Sequence, residues 1–269
     1  MSAHLSVKPK LLIVGNGMAA GRLVDELQKR DLTRYSLTIV GDEPQGSYNR
    51  IMLSSVLAEE LDAENVIQKG AFWYKQNDIS FIGGHRVASI DSQSKLAVLD
   101  NGQALPYDKL VLAMGSSPSA IPAKNQSLQN IFSFRTLGDV AAMTEAGRID
   151  TTQTAKRAVV IGGGLLGLEA AYGLAQRGLK VVLVHRSGWL LSRQLDARAG
   201  ALMQTMNIEF RLNNEVAEFS GTGAVTHAVL TDGESLACDL AVIATGISPN
   251  KQLGETAGLH VNRAIVVDE

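Results

Sequence analysis

Apolar residues in this chain form short strand-like runs that alternate with helix-like periodic segments, and one such pattern occurs twice. The first copy has strands at 10–14 and 36–41 around a helix at about 18–30. The second has strands at 157–161 and 180–184 around a helix at about 165–177. A glycine-rich turn joins the first strand to the helix in both copies. Because strand, helix and second strand in this order form a parallel βαβ unit, the pattern predicts an α/β fold with two units in tandem.

The rest of the chain carries weaker signals for secondary structure. Further helices are predicted near 51–60, 69–77 and 196–206. Further strands are predicted near 79–82, 86–90, 95–99, 110–113, 208–212, 215–219, 225–231, 240–244 and 264–267. Turn-forming residues crowd 115–122 and mark a boundary. The expected organisation is a first domain over 1–122, a second over 123–250, and a return segment over 251–269 that runs back toward the first.

Composition restricts the classes of partner. The chain has 269 residues, of which 45% are hydrophobic, so it is long enough for about two ordinary domains. Its 25 basic and 27 acidic residues leave a net charge of −2, with no basic block that would neutralise nucleic-acid phosphates. Small molecules are therefore the expected ligands, and nucleic acid is not an expected partner.

Targeting signals and metal-ligand patterns are missing from the sequence. The first ten residues are short of the apolar stretch that a signal peptide needs, and no apolar run is long enough for a membrane span, so a cytoplasmic location is expected. The one cysteine, Cys238, excludes an internal disulfide and is expected in the core rather than as a reactive thiol. The five histidines show no ligand spacing, and no metal site is expected.

The first glycine-rich turn reads Gly15-x-Gly17-x-x-Ala20 and lies where a strand turns into a helix. The first residue permits the sharp turn, the second lets a diphosphate approach the backbone, and the third lets helix and strand pack closely. The N–H groups at the helix start, at Met18 and Ala19, are then free to hold phosphate oxygens. One such turn is weak evidence, because unrelated α/β proteins also contain glycine turns.

Acidic residues follow the second strand of this first unit. Asp42 stands where a carboxylate can accept hydrogen bonds from a ribose, and Glu43 is the neighbouring candidate. A turn with its acid in place predicts a dinucleotide site.

The second turn, Gly162-x-Gly164-x-x-Gly167, keeps all three glycines in the same strand-to-helix setting. Its helix start, at Leu165 and Leu166, offers the same free N–H groups. Two turns of this kind in their proper context make a chance match improbable. A pair of dinucleotide sites predicts a relay in which a nicotinamide passes a hydride to a flavin, with FAD and NAD(P)H as the cofactors.

The second unit lacks an acid after its second strand. His185 and Arg186 stand there instead, and we hypothesise that these side chains tolerate or favour a 2′-phosphate, which would make NADPH usable. The alternative is that Arg186 is an ordinary solvated charge on a loop.

Four segments together resemble a known family. They lie at 15–27, 48–59, 162–171 and 193–196, and they are similar to the FAD- and NAD(P)H-binding N-terminal part of bacterial nitrite reductase [NAD(P)H] large subunits, in the pyridine nucleotide-disulfide oxidoreductase-like superfamily. A closely similar reductase is the electron-transfer subunit of assimilatory nitrate reductase. The resemblance implies a glutathione-reductase-like fold: two three-layer (ββα) Rossmann-like domains, the first for FAD and the second for NAD(P)H, truncated at the C-terminus.

The resemblance also implies roles for single residues. The cofactor contacts that it adds to the glycine turns and Asp42 are Arg50 at the flavin site, Val87 beside the adenine, Ala113 and Gly115 in one loop, and Gly246 in a second loop near the nicotinamide. Glu169 matches a carboxylate close to the flavin–nicotinamide contact and is the candidate catalytic residue, although a structural role is an equal alternative. One departure matters, because Ser55 replaces a lysine that contacts the flavin in broader relatives.

The implied function is an FAD-dependent NAD(P)H oxidoreductase module that feeds electrons to a nitrite reductase centre. Its partners would be downstream iron–sulfur and sirohaem domains, or the catalytic subunit of nitrate reductase, and a homodimer is compatible with the sequence. Nitrite chemistry itself needs several cysteine ligands and cannot occur on this chain, which has one. A non-catalytic dinucleotide-binding fragment is the alternative.

Overall fold

The computed structural model describes residues 8–148, 155–192, 194–197 and 208–268. Contacts divide them into two compact units. The first contains the described residues up to Asn49, Ile67–Ser117, and those from Pro249 onward. The second contains Arg50–Val66 and the described residues of Pro118–Ser248. The sequence pattern instead places its boundaries after residues 122 and 250.

The elements follow one another along the chain as parallel strands, helices and short antiparallel hairpins. The strands are β1 Lys10–Val14, β2 Ser36–Gly41, β3 Ser47–Tyr48, β4 Ile67–Lys69, β5 Ser80–Gly83, β6 Val87–Asp91, β7 Leu96–Leu99, β8 Ala104–Pro106, β9 Lys109–Leu112, β10 Ser116–Pro118, β11 Ile131–Ser133, β12 Arg157–Ile161, β13 Lys180–His185, β14 Glu209–Leu212, β15 Val216–Ser220, β16 His227–Leu230, β17 Ser235–Ala237, β18 Leu240–Ile243 and β19 Ile247–Pro249. The α-helices are α1 Met18–Arg30, α2 Leu53–Leu57, α3 Ala71–Gln76, α4 Leu137–Ala146, α5 Leu165–Gln176 and α6 Gln252–Thr256. Single 3₁₀ turns cover Leu32–Arg34, Arg50–Met52 and Ala63–Val66.

The first unit is built on a four-stranded parallel sheet in the order β5-β2-β1-β9. Successive side chains of a strand point to opposite faces, and β1 shows the result. Leu11 and Ile13 pack with residues of α1 and α3 on one face, whereas Leu12 and Val14 pack with the three-stranded meander β6-β7-β8 on the other. The unit therefore has three layers, with helices, parallel sheet and meander.

The second unit repeats this plan with one added strand. Its parallel sheet has the order β11-β18-β12-β13-β14, and α5 packs on three of its strands. Val159 and Ile161 of β12 face the meander β15-β16-β17, in a core that also holds Phe219 and Cys238. The predicted α/β fold, with two three-layer units that have parallel sheets, is confirmed.

Most predicted strands and helices lie within one or two residues of their observed bounds, and two do not. The strand at 264–267 is wrong, because Val261 and Ile265 form only an isolated bridge there. The helix at 51–60 is shorter, since a 3₁₀ turn precedes α2 and the helix ends at Leu57. The helix near 196–206 falls almost wholly outside the described residues. Within the described ranges, no helix has the length and apolarity that crossing a membrane requires.

Several elements were missed from the sequence. They are the helices α4 and α6, and the strands β3, β4, β8, β10, β11, β17 and β19. For α4 the sequence did contain a signal, a capping box. The Thr136 hydroxyl accepts the Asp139 N–H, and the Asp139 carboxylate accepts the Thr136 N–H, each at 3.0 Å.

Candidate dinucleotide sites

Gly15 makes the sharp turn at the end of β1. Its φ of +104° lies in the region that favours glycine, and its N–H donates to the carbonyl of Val40 at 2.7 Å. A side chain here would collide with the carbonyl oxygen of Ala113, at the end of β9. Only glycine therefore fits between the two neighbouring strands.

Gly17 precedes α1 and leaves its approach open. Its backbone is ordinary, with φ −80° and ψ −170°, and a Cβ built on it would find no atom within 4 Å. The protein itself therefore does not require glycine at this position. Because Gly17 has no side chain, it also offers no cap to the N–H groups of Met18 and Ala19, and the first turn contains no acidic residue. Both features fit a ligand diphosphate that approaches the backbone.

The turn after β12 has the same geometry. Gly162 has a φ of +117°, and its N–H donates to the carbonyl of Val184 at 2.9 Å. A side chain on it would meet the carbonyl oxygen of Ala244, at the end of β18. Gly164, with φ −85° and ψ −176°, is again open to 4 Å. Gly167 lies so close to the Gly162 carbonyl that a Cβ would overlap it.

A cavity of about 420 Å³ opens above this second turn. It brings together seven of the predicted residues: Gly162, Gly164, Leu165, Leu166, His185, Arg186 and Gly246. Gly167 lies behind the turn and is buried. The cavity has the size of a small-molecule site, and its position at the carboxyl ends of parallel strands is where such folds bind ligands.

Several residues that line this cavity were missed from the sequence. Three segments supply most of them: Ser119–Pro122; Leu191, Ser192 and Gln194; and Asn214–Val216. Thr245 lies apart from these segments in the sequence. Those after β14 could have been found, because Asn214 follows a strand of the same parallel sheet and so reaches the same edge. The others lie on loops whose path no local pattern indicates.

Glu169 lies in the second turn of α5 and does not line the cavity. It is half-buried, and burial raises the pKa of its carboxyl above the ordinary value of 4.5. The side chain therefore holds its proton to higher pH than an exposed glutamate would.

The acidic residues after β2 already have partners in the protein. Asp42 is exposed and its Oδ2 accepts a hydrogen bond from Arg86 at 3.2 Å. Glu43 accepts the hydroxyl of Tyr48 at 2.6 Å. A ribose bound at this edge would meet a carboxylate whose Oδ2 atom is already held by Arg86.

The remaining predicted contacts are spread over two units. Ala113 and Gly115 directly follow β9, next to the first glycine turn, and Gly115 has a φ of +67°. Val87 begins β6 and packs in the core between sheet and meander. Arg50 belongs to the second unit, where its Nη1 donates to the carbonyl of Arg135 at 2.8 Å.

Strand register gives a residue-by-residue correspondence between the two units. The last paired residues of the equivalent strands are Val14 with Val40 and Ile161 with Val184. Counting on from these pairs, Gly41 corresponds to His185, and Asp42 corresponds to Arg186. The position of Asp42, the predicted ribose-binding acid, is therefore occupied by Arg186 in the second unit, one residue later than the sequence count suggested.

Other chemistry is sparse. In the part of the chain that the structure describes, no group of three or more His, Cys, Asp or Glu side chains could hold a metal ion. Cys238 is a buried free thiol, and burial raises its pKa to about 12.

Two glycine turns of one geometry, each at the carboxyl edge of a parallel sheet, define a protein class with two dinucleotide-binding units. Residues 9–269 match the pyridine nucleotide-disulphide oxidoreductase family, and the chain belongs to it. The predicted membership of an oxidoreductase family is thus confirmed.

Relatives and solved structures agree with this assignment. The chain is 38% identical to the nitrite reductase [NAD(P)H] of Bacillus subtilis and 36% identical to its assimilatory nitrate reductase electron transfer subunit, in each case over 97% of this chain. It spans about a third of the length of these curated relatives, 32% and 34%. A putidaredoxin reductase in its covalent complex with putidaredoxin superposes with a TM-score of 0.86 at 27% identity, over 96% of this chain and 63% of that one.

Proposed function

We propose that this chain is an FAD-dependent NAD(P)H oxidoreductase module that passes electrons to a nitrite or nitrate reductase centre. The observation that carries the proposal is the duplicated glycine turn, which leaves an open approach at Gly17 and again at Gly164. A protein with a single substrate has no use for two such turns. Family membership and the names of the two Bacillus subtilis relatives support the same reading.

In this proposal the first unit holds FAD and the second holds NAD(P)H. The N–H groups of Met18 and Ala19 bind the FAD diphosphate, and Asp42 binds a ribose. In the second unit, Leu165 and Leu166 present the equivalent N–H groups. FAD, when bound, accepts a hydride from NAD(P)H and releases the electrons to the next acceptor.

Further contacts to the cofactors are proposed at the edges of the two turns. In the first unit they are Gly15, Ala20, Glu43, Val87, Ala113 and Gly115. Arg50, the additional flavin contact that the resemblance implies, belongs to the second unit. In the second unit they are Gly162, His185 and Gly246, whereas Gly167 acts by letting the helix pack closely behind the turn. Glu169 is the proposed catalytic residue, and burial raises the pKa of its carboxyl, so that it keeps its proton to higher pH than an exposed glutamate does.

NADPH is the proposed coenzyme. Arg186 stands where an acid would bind the 2′-hydroxyl of NADH, lines the cavity, and is exposed. Its guanidinium can pair with a 2′-phosphate in a bidentate manner. A carboxylate at the same place would repel that phosphate.

Downstream iron–sulfur and sirohaem domains, or a separate nitrate reductase catalytic subunit, are the proposed electron acceptors. A reducing compartment, the cytoplasm, is the proposed location, since the single cysteine is a buried free thiol.

The test uses the purified chain reconstituted with FAD under nitrogen. We expect a yellow protein whose flavin absorbance bleaches with NADPH, and the rate of bleaching at subsaturating coenzyme should be lower with NADH. Gly17→Ala and Gly164→Ala should fold normally, because neither new methyl group meets a protein atom. Gly17→Ala should nevertheless weaken the binding of FAD, and Gly164→Ala the binding of NADPH, each by at least about tenfold, since the methyl group stands where the diphosphate approaches.

Gly70→Ala is the matched control. Gly70 also precedes a helix, with φ −80° and ψ 174°, and a Cβ on it finds its nearest neighbour at 4.0 Å. This variant should bind FAD and coenzyme like the unchanged protein. A colourless protein that FAD cannot reconstitute would support a non-catalytic fragment, and a strong preference for NADH would contradict the role of Arg186.

A further inference from the structure

At two equivalent positions beside the glycine turn, the two units carry residues of opposite size. Asn16 and Gly163 occupy the middle of the equivalent turns, and Gly41 and His185 end the equivalent strands. In the first unit the Asn16 side chain covers Gly41, where an added Cβ would lie 2.9 Å from the Asn16 Cβ. In the second unit the His185 ring covers Gly163, where an added Cβ would lie 2.7 Å from the ring Cγ. One small space is thus filled from opposite sides.

His185 also binds the turn that it covers. The Gly163 N–H donates to the His185 Nδ1 at 3.1 Å, and the Gly163 carbonyl accepts the Leu191 N–H at 2.8 Å. Both peptide groups of the central glycine are therefore fixed by neighbours. Gly164 follows directly, so the position of Gly163 determines where the open glycine stands.

This hydrogen bond requires a neutral imidazole. A backbone N–H only donates, so the ring nitrogen that faces it must carry no proton, and the ring proton must be on Nε2. The Nε2 atom is buried and has no partner among the described residues. Protonation of Nδ1 would bring two N–H donors face to face and place a second positive charge beside Arg186.

The surroundings oppose protonation as well. Burial, and then the charge of Arg186, lower the pKa of His185 below its ordinary value of 6.5. The other charged residue that lines the same cavity is Glu215. Since the folded pKa is depressed, the neutral clamp is complete above about pH 6.5 and is lost as the pH falls through the lower folded value.

We propose that His185 is a proton-sensitive clamp that positions the coenzyme-binding turn: the neutral ring holds Gly163, and protonation releases it. The binding readout rests on the proposed function, whereas the clamp itself is a property of the second unit alone. His185 is in this reading a positioning residue that acts through Gly163, distinct from Arg186, which faces the ligand.

The test compares His185→Asn and His185→Leu with the unchanged protein. The Oδ1 of asparagine stands at the place of Nδ1 and accepts the Gly163 N–H, but it does not titrate. Leucine fills the space and accepts nothing. Calorimetric titration of the FAD-loaded protein with NAD⁺, which has no 2′-phosphate and withstands acid, gives the dissociation constant from pH 5 to 8.

We expect the dissociation constant of the unchanged protein to rise by up to about tenfold for each pH unit below the His185 pKa. His185→Leu should bind more weakly than the unchanged protein at pH 8, and this difference should shrink as the pH falls and the unchanged protein loses its own clamp. His185→Asn should restore most of the loss at pH 8 with a flat pH profile. If His185→Asn kept the pH dependence of the unchanged protein, the proposal would be wrong.

Nuclear magnetic resonance separates this proposal from the proposed function. The ¹⁵N shifts of the His185 ring should report the Nε2–H form at pH 7.5, and the Gly163 amide should shift as His185 titrates. A protein that shows both but binds neither NAD⁺ nor NADP⁺ keeps the clamp and loses the coenzyme function. An Nδ1–H ring, or a Gly163 amide indifferent to pH, overturns the clamp whatever the affinity.

Discussion

Glu169 is the one proposed catalytic side chain, and its burial gives a test that does not depend on catalysis. Because burial raises its pKa above 4.5 in the folded state, the folded protein holds this proton more tightly than the unfolded chain. The contribution of Glu169 to stability is therefore largest at low pH and is lost as the pH rises through the folded pKa. Glu169→Gln removes this titration.

We expect Glu169→Gln to unfold at a higher urea concentration than the unchanged protein at pH 7, with the difference shrinking toward pH 4. Comparing the two proteins at each pH cancels titrations that both share, His185 included. Glu64→Gln, at an exposed carboxylate of the same unit, controls for the loss of one charge. Parallel pH curves for Glu169→Gln and the unchanged protein would show that burial does not act on this carboxyl.

Residue positions were predictable to the extent that backbone geometry fixes them. Gly15 and Gly162 stand where the motif requires, because a positive φ and a neighbouring carbonyl leave no other choice. At Gly17 and Gly164 the protein leaves room for a side chain, so only an approaching ligand would require glycine. The correspondence of Asp42 with Arg186 rather than His185 was not predictable. The correspondence depends on the residue at which each strand ends and on the direction in which the side chain of the next residue points. Counting residues along the sequence gives neither piece of information.

At the scale of elements, the two βαβ units differ in how tightly the helix meets the turn. In α1 the third position of the motif is Ala20, whose side chain is buried and fits. In α5 it is Gly167, where a Cβ would overlap the carbonyl oxygen of Gly162. The second helix therefore approaches its turn too closely for any side chain.

Gly167→Ala should consequently destabilise the protein by about 1–3 kcal/mol, as overpacked sites do, and it should weaken coenzyme binding by displacing the turn. Gly138→Ala, in the first turn of α4, is the matched control. Its Cβ would meet only Thr136, at 3.5 Å, so the better helix propensity should stabilise by about 0.5–1 kcal/mol. Urea unfolding measures both, and equal stability of Gly167→Ala and the unchanged protein would refute the close approach.

Element prediction succeeded where hydrophobic periodicity was long and failed where it was short. Both βαβ units were found because α1 and α5 are long and because β1 and β12 each contain four consecutive buried apolar residues. Strands of two or three residues, such as β3 and β17, contain too few positions to show alternation. The run at 264–267 misled for the opposite reason, because an apolar pattern becomes a strand only when a neighbouring edge is available.

At the scale of the whole molecule, one plan is used for two ligands. Each unit stacks a meander, a parallel sheet and helices, and each presents its glycine turn at the carboxyl edge of that sheet. Duplication explains why the sequence predicted so much of the fold, since each copy supports the interpretation of the other. The duplicated plan does not identify the electron acceptor, because this chain spans only about a third of the length of its curated relatives, 32% and 34%.

Cys238 provides a single chemical reporter for opening of the second unit. It lies in the core between β12 and the meander and is 2% exposed, and burial raises its pKa to about 12. The thiolate is the form that attacks a thiol reagent, so reaction at pH 8 requires that the unit first open. We expect slow labelling in native buffer and rapid labelling in urea, with Cys238→Ser giving no signal.

Coenzyme should slow this labelling, because a ligand that binds only the folded state stabilises it by about 2.7 kcal/mol at a hundred times its dissociation constant. That energy corresponds to a decrease of about a hundredfold in the labelling rate when the reaction proceeds through the open state. FAD at the same saturation should slow labelling equally if the two units open together, and leave it unchanged if the second unit opens alone. Fast labelling in native buffer at a rate that coenzyme does not alter would show that Cys238 is reached without opening, and that the core of the second unit is not closed.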